Sequence, residues 1–302
     1  MRNKVVSLCS GCGGLDIGFI NAGFKIIWAN DVDKFAIQSY KANIGDHIVH
    51  GDINTIELNE IPNHDILIAG FPCQPFSIMG NEKGFDDHRG SLFFRICEII
   101  KFHKPEVVVL ENVGRLLKHK KGQSFKIIEN ELKSLGYQVF YKILDSSDYG
   151  VPQTRNRLFI VCFKNNNVNF DYPEPIPLKL KLHDLLEKNV DKKYYLSEKI
   201  KKTILSYGSG GYSSKPEVDL DVARPLCATM AKMHRAGQDN YVTTEYGLRR
   251  LTPRECARLQ GFDESYKIVV SDNQAYKQFG NAVTVKVAYS VAKAIQENLK
   301  DE

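Results

Sequence analysis

One cysteine, Cys73, stands where a strand should end and is the first candidate for covalent chemistry. The apolar run from Asp65 to Ala69 predicts a buried strand, and Gly70 and Pro72 end it just before the cysteine. Reactive groups of open α/β sheets gather at the carboxyl ends of the strands. We therefore interpret Cys73 as a candidate nucleophile.

A carboxylate and two guanidinium groups lie close to other predicted strands. Glu111 directly follows the apolar run 107–110, so we expect it beside Cys73 at the same edge of the sheet. Arg155 and Arg157 lie two positions apart near the next apolar run, and on a strand they would share a face that holds a phosphate or a base oxygen. The alternatives are a solvated surface position for the carboxylate and surface ion pairs for the arginines.

A glycine-rich turn follows the first predicted strand. Strand 5–8 leads into the turn 10–14 and then into a helix, which lets a ligand approach the backbone at a helix N-terminus. Asp31 and Asp52 end two further strands, where carboxylates suit ribose hydroxyls. Asp16 occupies the position of the third glycine in a dinucleotide fingerprint and would repel a pyrophosphate. Together these features predict a nucleoside ligand without phosphates, such as S-adenosylmethionine.

The same turn contains Cys9 and Cys12, a Cys-x-x-Cys pair of the kind found in redox centres and in zinc sites. The sequence has no second pair to complete a tetrahedral zinc site, and its seven cysteines show no ladder of paired spacings. We expect reduced thiols and no metal.

These candidates require a sheet whose strands alternate with helices. Apolar runs predict strands at 5–8, 25–29, 66–69, 107–110, 139–144 and 158–163, and amphipathic stretches predict helices at 15–22, 35–43, 92–103 and 125–135. The alternation predicts an α/β fold with a doubly wound, mostly parallel sheet. Further on, Thr252 is predicted to cap a helix that begins with Pro253 and Glu255, and a long helix to run from about 284 to 299.

The composition is that of a folded globular protein. The 302 residues are 43% hydrophobic and 25% charged, enough to bury a sizeable core in one large or two unequal domains. The apolar runs are far too short to span a bilayer and the first residues lack a signal peptide's apolar stretch, so we expect a cytoplasmic protein. The net charge of +5 permits a polyanionic partner without requiring one.

Eight short motifs follow one another along the chain: SGCGG at 10–14, GDI at 51–53, GFPCQ at 70–74, DHRGSLF at 87–93, ENV at 111–113, QTRNR at 153–157, RLTPRE at 250–255 and QFGNAV at 278–283. Their order and spacing resemble those of the bacterial, single-chain DNA (cytosine-5)-methyltransferases of restriction-modification systems. The resemblance implies a Rossmann-like catalytic domain and a smaller, irregular, β-rich target-recognition domain. We place the catalytic and cofactor-binding domain at 1–182 plus 274–302, the target-recognition domain at 183–252 and a hinge at 253–273.

The resemblance also implies a reaction, in which the methyl group of S-adenosylmethionine moves to C5 of a cytosine flipped out of duplex DNA. Because C5 is a poor nucleophile, the thiolate of Cys73 would first add to C6. Glu111, with a pKa raised by burial, would protonate or hydrogen-bond N3. Arg157, together with Arg155, would contact the base oxygen or a phosphate. The sequence names no base that removes the C5 proton.

By the same resemblance, loops and strand ends supply the residues that bind the cofactor and the DNA. The cofactor residues would be Cys9, Ser10, Gly11, Cys12, Gly13, Gly14, Leu15, Asp31, Val32, Asp52, Ile53, Pro72, Leu92, Asn281, Ala282 and Val283. The DNA contacts would be Gln74, Ser77, Arg89, Arg155, Arg157, Tyr212, Thr229, Arg235, Arg249 and Arg250. The family usually has an aromatic residue at position 9, so the cysteine there predicts weaker cofactor binding. We expect a monomer. Bacterial proteins of this size usually accompany a restriction endonuclease of the same DNA site, and the sequence leaves a solitary methyltransferase open as the alternative.

Four alternatives remain open. A transfer-RNA cytosine-5 methyltransferase would keep Cys73 and Glu111, but it has a shorter target region and a Cys-Phe-Thr signature that this sequence lacks. A DNA-binding regulator on the same fold would have lost the nucleophile. An NAD oxidoreductase is disfavoured by Asp16, and a thiol oxidoreductase would use Cys9 and Cys12.

Overall fold

The computed structural model describes residues 2–71, 92–206, 208–209, 212–213 and 217–300, with the backbone alone at 208–209, 212–213 and 300. Contacts divide the chain into two units. Unit 1 is Met1–Leu144, Asn156–Glu174 and Ala288–Glu302, and unit 2 is Asp145–Arg155 and Pro175–Val287. The domain boundaries predicted from the sequence differ from the boundaries of these two units. The assignment of a catalytic, a target-recognition and a hinge role to the predicted domains stays a prediction.

The first half of the chain forms the strands and helices of an α/β unit. In chain order they are β1 (Lys4–Leu8), α1 (Gly14–Asn21), β2 (Lys25–Asp31), α2 (Lys34–Asn43), β3 (Ile48–His50), β4 (Ile66–Gly70), α3 (Leu92–His103), β5 (Val107–Val113), α4 (Gln123–Ser134), β6 (Gln138–Asp145) and β7 (Asn156–Phe163). The predicted elements are confirmed to within a few residues. The sequence indicated β3 only as a strand that ends near Asp52 and gave no bounds for it, because it has three residues with two of them exposed.

These strands form one seven-stranded sheet in the order β3-β2-β1-β4-β5-β7-β6. The pairs β1–β2, β1–β4, β2–β3 and β4–β5 are parallel, whereas β5–β7 is antiparallel. The α/β prediction with a mostly parallel sheet is confirmed. The predicted strict alternation of strand and helix is interrupted twice, because the connections from β3 to β4 and from β6 to β7 contain no α-helix.

Alternate residues of four strands supply one face of the sheet to a continuous apolar core. They are Val6 and Leu8 of β1, Leu67 and Ala69 of β4, Val108 and Leu110 of β5, and Leu158, Ile160 and Cys162 of β7, and they pack with Ile96 and Ile99 of α3 and Ile128 and Leu132 of α4. Burying each large aliphatic side chain contributes roughly 1.5–3 kcal/mol. Because side chains alternate between the two faces, this core fixes the register at which each strand ends.

Unit 2 contains short helices and two-stranded ribbons. Its elements are α5 (Glu198–Ile204), β8 (Gly208–Ser209), β9 (Tyr212–Ser213), β10 (Tyr241–Thr244), β11 (Gly247–Arg250), α6 (Pro253–Leu259) and α7 (Asp272–Asn281), and α8 (Val285–Lys300) follows. The ribbons β8–β9 and β10–β11 are antiparallel. The predicted cap of α6 is confirmed, since Thr252 and Glu255 form a reciprocal capping box with Pro253 in the first turn.

Gly18 of α1 packs against the last helix within unit 1. A Cβ at Gly18 would lie 2.4 Å from the Cβ of Ala288 and 2.7 Å from the backbone nitrogen of Tyr289, so only glycine permits this approach. The side chain of Gln296 also donates to the carbonyl of Ala22 over 2.9 Å. Over the described ranges, no helix is long and apolar enough to cross a membrane.

Candidate active site

Phe71, the last described residue before Cys73, is held by a hydrogen bond from β5. Asn112, only 2% exposed, donates from Nδ2 to the carbonyl oxygen of Phe71 over 2.9 Å, and its Oδ1 accepts from the backbone of Val113 over 2.8 Å. Asn112 therefore anchors the segment immediately after β4 to β5. Cys73 itself lies outside the described residues, as do Pro72, Gln74, Ser77 and Arg89.

Glu111 lies on β5 between two strands of the sheet. Gly70 of β4 is its partner on one side and Phe159 of β7 on the other, and only 7% of Glu111 is exposed. Arg157 of β7 places its Nε 3.1 Å from Oε1 of Glu111. Such charge-assisted contacts are short and directional, so the pair fixes the orientation of the carboxylate. The sequence predicted separate roles for these two residues, and the structure brings them together.

Arg155 and Arg157 have different partners, although the sequence predicted a shared face. Strand β7 begins at Asn156, so Arg155 precedes the strand. The guanidinium of Arg155 is completely buried within unit 2 and donates to the carbonyl oxygens of Leu226 (3.0 Å), Gly280 (2.9 Å) and Ala282 (2.9 Å). In this structure, bonds to backbone carbonyls occupy the guanidinium of Arg155. The contact of Arg155 with DNA stays a prediction.

The predicted cofactor turn has the backbone conformation that its glycines indicate. Gly11 and Gly13 have φ values of +57° and +90°, and Gly13 immediately precedes α1. A Cβ at Gly13 would lie 2.1 Å from Cδ1 of Ile44, whereas a Cβ at Gly11 would meet no atom of the described residues within 4 Å. Gly11 thus leaves space beside the turn among the described residues, and Gly13 is favoured by its φ of +90°, which L side chains rarely adopt. Cys9 also adopts a left-handed conformation, with φ of +54°.

Two carboxylates, those of Asp31 and Asp52, affect the hydrogen bonding and the electrostatics of the turn. Asp31 accepts from the backbone nitrogen of Gly11 through Oδ2 and from that of Asp33 through Oδ1, both over 2.8 Å. Burial raises the pKa of Asp31, and these N–H donors partly oppose the shift. Burial, with the charges of Asp31 and Asp52, raises the pKa of the Cys9 thiol to about 12. A thiol so firmly protonated is a poor redox nucleophile or metal ligand, which disfavours the thiol oxidoreductase alternative.

Asp16 lies beneath the turn and does not face a ligand. Its carboxylate is fully buried and accepts from Ser7 Oγ over 3.0 Å and from Tyr40 OH over 2.8 Å. Burial raises the pKa of Asp16 to about 6, and the two hydroxyl donors limit the shift. The sequence argument assumed a carboxylate at the helix start that would repel a pyrophosphate. That assumption is wrong, since the carboxylate is directed into the polar network of Ser7 and Tyr40.

The remaining predicted cofactor residues differ in exposure. Ser10, Cys12, Leu15 and Ile53 are buried, Leu92 is half-buried, and Val32 and Asp52 are exposed in unit 1. Asn281 is exposed at the end of α7 in unit 2, and Ala282 and Val283 are buried in the residues that follow. In the part of the chain that the structure describes, no cluster of three or more His, Cys, Asp or Glu side chains is arranged to hold a metal ion.

Among the predicted DNA contacts in unit 2, Thr229 is exposed, whereas several arginines bind other groups of the chain. Arg249 is completely buried and pairs with both carboxylate oxygens of Glu255, over 2.8 and 2.7 Å. Arg235 pairs with Asp239 over 2.9 Å, and Arg250 places Nη2 2.9 Å from Nε2 of His234. For Tyr212 only the backbone is described, in β9.

One structurally central residue received no role from the sequence. Gln153 is completely buried, accepts from the backbone nitrogen of Leu226 over 2.9 Å and donates to the carbonyl oxygen of Leu259 over 2.7 Å. The sequence signal for the importance of Gln153 is its place at the start of the motif QTRNR at 153–157. The partners lie 73 and 106 positions away in sequence, so no local pattern could identify them.

Comparisons with known proteins give a consistent picture. The family model for C-5 cytosine-specific DNA methylase matches residues 3–297. The chain is 41% identical to the Type II methyltransferase M.DsaV of Dactylococcopsis salina, with 96% of this chain and 85% of that protein covered. It is 36% identical to the Type II methyltransferase M.HhaI of Haemophilus parahaemolyticus, with 98% and 95% covered.

Solved structures agree on the fold. The S. pombe Dnmt2 methyltransferase superposes with a TM-score of 0.82 at 22% identity, covering 98% of this chain and 99% of that one. A putative DNA modification methyltransferase encoded within an E. coli prophage gives a TM-score of 0.69 at 21% identity, with 99% of both chains covered. At these identities the likeness concerns the fold alone.

Proposed function

The chain belongs to the C-5 cytosine-specific DNA methylase family and is a DNA (cytosine-5)-methyltransferase, and on that premise we propose that it methylates C5 of a flipped cytosine through a covalent bond between Cys73 and C6. The observation that carries the proposal is the Glu111–Arg157 pair, with 3.1 Å between Arg157 Nε and Glu111 Oε1. Glu111 is the register partner of Gly70, three positions before Cys73 in sequence. We propose that this oriented carboxyl group acts together with Cys73, which follows β4 in the sequence.

The cofactor proposed for this chain is S-adenosylmethionine, which supplies an electrophilic methyl group when bound. The turn fits a nucleoside ligand, because Gly11 leaves open space beside it and Asp31 holds a carboxylate against its backbone. Asp31 would accept hydrogen bonds from ribose hydroxyls, and buried Ile53 would provide an apolar wall for adenine. In unit 2, Asn281 and Ala282 would supply further walls.

The residues of the chain would act on cytosine in sequence. The thiolate of Cys73 forms a bond to C6, and the electron pair of the C5–C6 double bond moves through the ring towards N3. Glu111 gives N3 a proton or a strong hydrogen bond as that charge develops, and Arg157 stabilises the charge at the base oxygen. C5 then takes the methyl group and N3 returns its proton. Loss of the C5 proton to a base and of the thiolate from C6 restores the double bond.

Duplex DNA is the proposed macromolecular substrate. The target carbon is stacked inside the duplex, so the base must leave the helix before Cys73 reaches it, at a cost of a few kcal/mol. We propose that 183–252 selects the DNA sequence and that basic side chains there contact phosphates. We also propose that the protein acts as a monomer and that a restriction endonuclease cleaves the same site when it is unmethylated.

Bisulfite sequencing tests this function. DNA from cells that express the wild type should contain unconverted cytosines at one short recurring sequence, and DNA from cells that express Cys73→Ser should lack them. Immunoblotting confirms equal amounts of the two proteins. Identical conversion patterns in the two samples would contradict the proposal, and methylation of transfer RNA without methylation of duplex DNA would assign a different substrate.

A further inference from the structure

A buried polar junction in unit 2 joins three segments that are distant in sequence. We define this junction as Gln153 and Arg155, the backbone of 226–228 and the backbone of 280–282. Both side chains are completely buried. All of the bonds described below lie within unit 2.

Segment 226–228 is held through both backbone polar groups of Leu226. The backbone nitrogen of Leu226 donates to Oε1 of Gln153 over 2.9 Å, and its carbonyl oxygen accepts from Nη1 of Arg155 over 3.0 Å. Just before it, Ala223 exchanges backbone hydrogen bonds of 2.8 and 2.9 Å with Pro152 and Thr154. The segment is thus fixed against the loop that precedes β7.

The same guanidinium binds the end of α7. Nη2 of Arg155 donates to the carbonyl oxygens of Gly280 and Ala282, each over 2.9 Å. A cation is favoured there, because a helix C-terminus carries unpaired carbonyls and partial negative charge. Gly280 also touches segment 226–228 directly, since a Cβ on it would lie 2.3 Å from the backbone nitrogen of Ala228. The two segments therefore pack backbone to backbone with one arginine bonded to both.

The two segments have different proposed ligands. Leu226 and Cys227 line a cleft that also contains Tyr241 and Arg250, and Arg250 is a predicted DNA contact. Asn281 and Ala282 are predicted walls of the cofactor site. A displacement of one segment must move the other or break a bond of the junction, because a planar guanidinium holds its donors in fixed directions.

From this geometry we infer that Arg155 is a positioning residue that couples the binding of DNA at 226–228 to the binding of the cofactor at 281–282. The inference rests on the proposed function for the identity of both ligands. Coupling of this kind is reciprocal, so DNA raises the affinity for the cofactor by the same factor as the cofactor raises the affinity for DNA. Arg155 needs no contact with either ligand for this role.

The experiment compares the Kd of S-adenosylhomocysteine with and without duplex DNA, measured by titration calorimetry on the full chain. The DNA is a duplex that contains a sequence methylated by the wild type in the bisulfite experiment. For the wild type we expect the DNA to lower the Kd by about fivefold or more. For Arg155→Lys we expect a ratio of about one to two, because an ammonium group cannot direct donors to three separated carbonyls.

Tyr137→Phe is the matched control. It also removes a buried bond from a side chain to a backbone carbonyl, from Tyr137 OH to Pro105 over 2.6 Å, and both residues belong to unit 1, outside the junction and the cleft. Both variants should lower the thermal midpoint, but Tyr137→Phe should keep the wild-type Kd ratio. If Arg155→Lys does not fold, Gln153→Met supplies the test, because it removes the acceptor for Leu226 and keeps a side chain of similar volume.

Two outcomes would overturn the inference while the proposed function stands. One is a wild type that binds both ligands without any coupling between them. The other is an Arg155→Lys protein that keeps the wild-type ratio and loses only stability. Failure of the proposed function is a distinct result, in which the wild type neither binds S-adenosylhomocysteine nor methylates DNA.

Discussion

The sheet edge around Glu111 in unit 1 and the buried polar groups of unit 2 use the same residue types for different purposes. At the sheet edge, Arg157 orients a carboxylate while its own side chain stays 19% exposed. In unit 2, the guanidinium groups of Arg155 and Arg249 are completely enclosed and bind carbonyls or a carboxylate of the chain. A charged pair with an accessible side can act on a substrate, whereas an enclosed one fixes the backbone.

The strongest test of this contrast is Glu111→Gln. The amide keeps the shape of the side chain but cannot give a proton to N3 as a carboxylic acid does, so kcat should fall by about 10²–10⁴-fold. Steady-state methyl transfer from labelled cofactor measures the change. Glu106→Gln is the matched control, because Glu106 immediately precedes the same strand and pairs with Lys164 at the surface over 3.6 Å. A Glu111→Gln enzyme with more than half of the wild-type kcat would contradict the assigned role.

Glu255→Gln should produce the opposite result, a loss of stability without a loss of chemistry. It leaves Arg249 buried without its carboxylate partner, which costs roughly 3–5 kcal/mol of unfolding free energy. Urea denaturation measures the loss, and kcat of the folded protein should stay within about twofold of the wild type. Glu264→Gln breaks an exposed pair with Arg258 and should cost about 1 kcal/mol or less. Equal losses from the two variants would remove the distinction between enclosed and exposed pairs.

The buried carboxylate of Asp16 should give a smaller effect that depends on pH. Because folding raises its pKa to about 6, the folded state binds a proton more tightly than the unfolded state. Its contribution to stability is therefore complete below about pH 4 and is lost as the pH rises through about 6. Between these two pH values the unfolding free energy of the wild type should fall by on the order of 2–3 kcal/mol relative to that of Asp16→Asn.

Urea midpoints of both proteins at several pH values measure that difference. The comparison with Asp16→Asn cancels the groups that titrate in both proteins. Parallel pH profiles for the two proteins would show that burial does not raise the pKa of Asp16.

The smallest expected effect concerns the cofactor turn. Cys9→Phe restores the aromatic residue that the family usually has, and a ring contact adds about 0.5–1.5 kcal/mol. S-adenosylhomocysteine should therefore bind a few-fold more tightly, as measured by calorimetry. Unchanged or weaker binding would refute the idea that the cysteine lowers cofactor affinity. Cys9 has a left-handed backbone with φ of +54°. Cys9→Ser is therefore the second variant, because it places a residue without a ring in the same backbone conformation.

The sequence predicts the strands and helices of unit 1 and the start of α6 in unit 2 well because their signals are local. The apolar run that ends at Gly70, the glycine turn before α1 and the capping box of Thr252 and Glu255 each depend on a few neighbouring residues, and the structure confirms all three. The pairing of Glu111 with Arg157 was also within reach, because both residues belong to motifs of one family.

Other features depend on contacts that no local pattern contains. The bonds from Arg155 to Leu226 and Ala282 join positions 71 and 127 residues apart, so its burial could not be inferred from the motif 153–157. The burial of Asp16 likewise requires Tyr40, which lies on α2. The sequence argument assumed that Arg155 contacts a ligand and that Asp16 repels one, whereas long-range packing gave each side chain partners within the chain.

The most direct test of the central claim is to trap the bond between Cys73 and the base. The wild type is incubated with S-adenosylmethionine and a duplex that carries 5-fluorocytosine at the methylated position, where the C5 fluorine prevents the final loss of a proton. The account predicts a complex that survives denaturing electrophoresis and whose peptide map places the nucleotide on Cys73, and no complex with Cys73→Ser. A complex mapped to another residue, or one that persists in Cys73→Ser, would contradict it.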